Sequence, residues 1–105
     1  MTSTEYVDCK GLPAGSLVEV ETRNRHYQIE CLGGSAIRIS GHPEYCPTPV
    51  NGKLQGAADR GGEFQPGLIG RGKYMQFVLD DHRPVTTSRV VRLRVQRPPQ
   101  SISIH

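Results

Sequence analysis

Two interlocking patterns most constrain what this chain can fold into. Apolar residues recur at every second position, and Gly or Pro closes each such run. In Leu17–Thr22 the residues Val18, Val20 and Thr22 fall on one side of an extended backbone, with Glu19 and Glu21 on the other, as a half-buried strand requires. Tyr27, Ile29 and Cys31 alternate in the same way with Gln28 and Glu30. Arg23-Asn24-Arg25 lies between the two runs, and Asn24 suits the left-handed backbone of a tight connection, so a β-hairpin is expected.

Gly33-Gly34 punctuates the chain before a third run, in which Ile37 and Ile39 alternate with Arg38 and Ser40. A second hairpin is expected over 73–95. Met75, Phe77 and Leu79 point inward, the Asp80–Pro84 segment turns, and Val91, Leu93 and Val95 are expected inward, opposite Val90, Arg92 and Arg94.

The stretch from His42 to Pro66 is interrupted by Pro43, Pro47, Pro49 and Pro66. It reads as an irregular loop with one edge strand and an Asn51-Gly52 turn between Val50 and Leu54. Residues 56–66 read as a mobile loop. No window carries a helical apolar stripe. The fold class is therefore all-β, a small SH3-like or Sm-like barrel or a compact sandwich of five to seven short strands.

A chain of 105 residues supports one hydrophobic core, so residues 1–105 are expected to form a single domain. The core is expected over about 17–96, with 1–12 and 97–105 as flexible or edge-pairing tails. An edge strand left free would also allow pairing between copies, giving a homo-oligomer. The three cysteines, an odd number, and the lack of an apolar leader favour a reduced, cytoplasmic setting; no run is long enough to span a bilayer. The net charge of +3 is concentrated near the C-terminus, where Arg83, Arg89, Arg92, Arg94 and Arg97 occur with no acid after Asp81.

Several groups of residues suggest chemistry. Gly67 to Tyr74 approaches a phosphate-loop pattern. However, Tyr74 stands where a small hydroxyl is needed and a strand follows where a helix should, so the glycines read as a bend into the Lys73 strand. His42 and Cys46, with Cys9, Cys31 or His26, would make a zinc site with only one ligand pair at short spacing, and alternation puts Cys31 in the core. Cys46 with His42 as thiol and base, or Ser88 with His82 and an aspartate, lacks an orienting context. Arg89, Arg92, Arg94 and Arg97 would form a basic stripe able to track a nucleic acid. The competing reading pairs Arg92 and Arg94 across strands with Glu19, Glu21 or Glu30.

The phrases EVETRNRHYQI, ISGHPEYCPTP, GLIGRGKYMQF and TTSRVVRLRV together resemble a family of small uncharacterised bacterial proteins. The resemblance covers about residues 17–95 and implies a shared all-β fold and a bacterial source, with no activity attached. It singles out Thr22-Arg23-Asn24, Gly41-His42-Pro43, Gly70-Arg71-Gly72 and Thr86-Thr87-Ser88. These are polar turn elements, where binding residues are commonly carried on a rigid scaffold. The expected function is a non-catalytic binding or interaction module using Arg23, Asn24, His42, Tyr45, Arg71 and Lys73, with an unspecified ligand or protein as partner and no cofactor. The alternatives are the arginine-based nucleic-acid barrel and a small enzyme or zinc protein centred on His42 and Cys46.

Overall fold

The computed structural model describes residues 5–96. Its strands are β1 (Tyr6–Asp8), β2 (Leu17–Thr22), β3 (His26–Gly33), β4 (Ala36–Ser40), β5 (Val50–Ala58), β6 (Phe64–Pro66), β7 (Leu68–Gly70), β8 (Tyr74–Leu79) and β9 (Pro84–Gln96), with one 3-10 turn at Cys9–Gly11. The all-β expectation holds. Every pairing between strands is antiparallel, and no described helix is long and apolar enough to cross a membrane.

The order β4-β3-β2-β9-β8-β5 is closed by an additional pairing of β4 with β5, so these strands form a barrel. Alternation explains its interior: Val18, Val20, Ile29, Ile37, Ile39, Met75, Phe77 and Leu93 are buried, and Tyr27 meets Phe77 edge-on at 6.0 Å. Closure removes the long sheet edges. Among the described residues, those left are on three-residue strands such as β1 and β6.

The middle of the chain departs from the sequence expectation. Residues 50–58 form a nine-residue barrel strand, paired to β4 at its start and to β8 along its length, and Asn51-Gly52 lies inside it. Gly52 is there because the neighbouring strand is close: a Cβ at this position would meet the Val78 carbonyl oxygen at 2.5 Å. The segment read as a mobile loop continues this strand to Ala58 and returns as β6.

Three local expectations are also corrected. The β2–β3 turn contains no left-handed Asn24, since His82 is the single described non-glycine residue with positive φ. Instead the buried Thr22 hydroxyl holds the turn, accepting from the Arg25 N–H at 3.0 Å and donating to the Arg25 carbonyl at 3.1 Å. On β9, Val90 is buried and Val91 is 43% exposed, the reverse of simple alternation. The register steps from Glu21↔Arg92 to Thr22↔Val90, so Val91 is the extra residue of a bulge. Of residues 1–12, those in β1 do pair at an edge, with β7, but Val7 and Cys9 also enter the core, which therefore begins before residue 17.

Candidate functional site

Strand β9 serves two partners in turn. Residues 84–89 pair with β8, and residues 90–96 pair with β2. The handover falls at Arg89 and Val90, beside the bulge, and pulls the β2–β3 turn against the middle of β9: the Arg23 N–H donates to the Arg89 carbonyl at 3.0 Å. An open depression of about 390 Å³ lies at this junction, lined by Arg23, Asn24, Arg60, Tyr74, Ser88 and Arg89. It is therefore built from four separate segments of the chain.

Its charge is one-sided. Three guanidinium groups and no carboxylate line it. Five other arginines on the described surface are ion-paired: Arg38 with Glu30, Arg71 with Glu5, Arg83 with Asp81, Arg92 with Glu21 and Arg94 with Glu19. Arg23, Arg25, Arg60 and Arg89 have no carboxylate within ion-pair distance among the described residues. Arg60 Nε donates to the Tyr74 hydroxyl at 3.4 Å, and hydrogen bonds from Arg60 and Arg89 lower the Tyr74 pKa below the ordinary phenol value.

A second depression of about 180 Å³ adjoins the first and shares Asn24 and Ser88 with it. Arg25, His42, Tyr45 and Thr86 are among its lining residues. His42 is committed to its own loop, its Nδ1 accepting the Glu44 and Tyr45 N–H groups at 3.1 and 3.2 Å. Its ring stacks on Tyr45 at 4.4 Å between centroids, and the Arg83 guanidinium lies 5.3 Å from the Tyr45 ring centre. Gly41 permits this loop to dock, because a Cβ there would collide with the His26 carbonyl.

Four of the six residues expected from sequence, Arg23, Asn24, His42 and Tyr45, thus line one continuous surface. Arg71 and Lys73 are not on it. Arg71 faces Glu5 at 3.3 Å, and Lys73 holds Asp59 at 3.2 Å. Arg60, Tyr74 and Ser88 complete the surface. Nothing in the local sequence links Arg60, in a Gly-rich loop, to the distant tip of the β2–β3 hairpin.

The proposed basic stripe is divided. Arg92 and Arg94 stand directly opposite Glu21 and Glu19 and are paired with them, Arg89 belongs to the depression, and Arg97 lies outside the described residues. The zinc and thiol readings lack their geometry. Cys46 is fully buried, which raises its pKa, and no group of three His, Cys, Asp or Glu residues gathers at a metal-holding distance among the described residues. Cys31 faces the core as alternation indicated, and the phosphate-loop-like segment forms β7 and a turn into β8.

Compared with known proteins, the chain matches no family model, no curated protein and no solved structure.

Proposed function

We propose that this protein is a non-catalytic binding module that holds an anionic group, a phosphate or carboxylate, in the depression between Arg23, Arg60 and Arg89. The observation carrying this reading is the partition of the arginines. Five on the described surface are matched to carboxylates, and the four without such a match surround two adjoining depressions. Guanidinium groups suit this role because their planar donors match the oxygens of phosphate and carboxylate two at a time. Asn24 and Ser88 add neutral hydrogen-bonding groups at the point where the depressions meet.

Membership of the small bacterial family belongs to the same proposal. The turn positions that the resemblance singles out supply Arg23, Asn24, His42, Thr86, Thr87 and Ser88 to this surface. A nucleic-acid partner tracking the C-terminal arginines is disfavoured, because Arg92 and Arg94 are already paired.

The test is calorimetric titration of the folded chain with inorganic pyrophosphate at low ionic strength. Saturable binding that weakens as salt rises and is weakened roughly tenfold or more in Arg89→Ala, but kept in Arg92→Ala, supports the reading. Absence of binding, or equal loss in both variants, overturns it. Tight binding of a single-stranded oligonucleotide that depends on Arg92 and Arg94 would replace it with the nucleic-acid reading.

A further inference from the structure

Cys9 and Cys31 are 22 positions apart in sequence, yet their sulfurs lie 2.9 Å apart, and both residues are about 1% exposed. Cys31 is on the inward face of β3, opposite Ile37 of β4. Cys9 is carried by the 3-10 turn that follows β1, with the Asp8 carboxylate accepting the Lys10 N–H and the Leu12 N–H closing on the Cys9 carbonyl. The contact is therefore made by two backbone segments that are each held independently. Two buried thiols this close are positioned for oxidation to a disulfide.

We infer that Cys9 and Cys31 are a reversible disulfide site that fastens the N-terminal arm, residues 5–12, to the barrel. A disulfide has an S–S length of about 2.05 Å, so the sulfurs need to approach by only about 0.9 Å. The oxidant is a small disulfide of the glutathione type. One protein thiolate attacks it, forming a mixed disulfide and releasing one glutathione thiolate. The second protein thiolate then attacks the protein-side sulfur and releases the second. Two electrons pass to the oxidant, and the two protons lost by the protein are taken up by the released glutathiones. The neighbouring thiols also ionise unequally. The hydrogen bond between the two sulfurs lowers the Cys31 pKa and, with burial, raises that of Cys9, so Cys31 is the more readily ionised of the pair.

Cys46 is outside this pair. Its loop docks against the start of β3 at His26 and Tyr27, whereas Cys31 is near the strand's end, separated from Tyr27 by four residues of extended chain, roughly 13 Å. The site does not depend on the anion-binding reading. Its consequence falls on the arm, where the β1–β7 pairing and the Glu5–Arg71 contact become covalently tethered to β3.

The experiment is to refold the full chain in a series of oxidised and reduced glutathione ratios and to count thiols and map cross-linked peptides. Refolding gives the oxidant access before burial. The expected result is loss of two thiols and of the mass of two hydrogen atoms, a single Cys9–Cys31 cross-linked peptide, reversal by dithiothreitol, and a larger oxidised fraction in the folded chain than in denaturant at the same ratio. Retention of three thiols, a cross-link to Cys46, or an oxidised fraction no greater than in denaturant overturns the inference. Cys46→Ala should leave the result unchanged, and mapping of the unsubstituted chain decides the matter if that variant does not fold.

Discussion

The Asn24 side-chain amide donates to the Ser88 hydroxyl across 2.6 Å, although 64 residues separate them. This bond joins the tip of the first hairpin to the strand that passes from β8 to β2, and both residues line both depressions. Asn24→Ala should therefore weaken pyrophosphate binding although it removes no charge. It should also lower stability by about 0.5–1.5 kcal/mol, the usual net worth of one hydrogen bond, as measured by urea unfolding.

Removing single arginines should separate binding groups from surface pairs. A hydrogen bond to a charged group contributes about 1.5–3 kcal/mol, so Arg23→Ala or Arg89→Ala should weaken pyrophosphate binding by roughly tenfold to a hundredfold. Arg94→Ala loses only an exposed pair with Glu19 and should change affinity and stability little.

Tyr74 offers an optical report on the same site. Arg60 and Arg89 lower its pKa by favouring the phenolate. An anion between these arginines diverts their charge and repels the phenolate, so pyrophosphate should move the Tyr74 ionisation upward in an ultraviolet pH titration. Arg60→Gln should move it upward without any ligand.

Asp59 anchors the loop that carries Arg60. Its pKa is lowered first by the Glu63 N–H, which it accepts at 2.9 Å, and then by Lys73. A carboxyl whose folded pKa is depressed stabilises the fold above its unfolded value, and that contribution disappears as pH falls through the folded one. Asp59→Asn should therefore lower the unfolding midpoint at neutral pH. The difference from the unsubstituted chain should close as the solution is acidified below the ordinary carboxylate range.

Closure of the barrel is tested at Gly52. A methyl group there meets the Val78 carbonyl, a backbone atom that cannot rotate away. Gly52→Ala should destabilise by about 1–3 kcal/mol, the range for overpacking a tight interior, in equilibrium urea unfolding followed by circular dichroism.

Where a strand buries branched or aromatic residues at every second position, the sequence was readable. Val18 and Val20, Tyr27 and Ile29, Ile37 and Ile39, and Met75 and Phe77 all lie inward as alternation requires. It failed on β5, whose buried positions include Gly52, Leu54 and Ala57, since small residues in a crowded interior give no hydrophobic signal. It failed at Val90 and Val91, where the bulge breaks the alternation locally, while Leu93 beyond it faces inward as alternation requires. Arg23, Asn24, His42 and Tyr45 were visible as polar turn residues, but Arg60 and Tyr74 were not linked to them.

Local alternation and turn chemistry, which depend on neighbours in the chain, were thus enough to specify antiparallel strands, their inward faces and the main hairpins. Tertiary structure alone decided the closure of β4 on β5, the contact between the Cys9 and Cys31 sulfurs, and which arginines are neutralised. Each of these depends on bringing distant segments together. An arginine's partner is set by the strand register that places Glu19 opposite Arg94, and by the bend in β9 that leaves Arg89 beside Arg23.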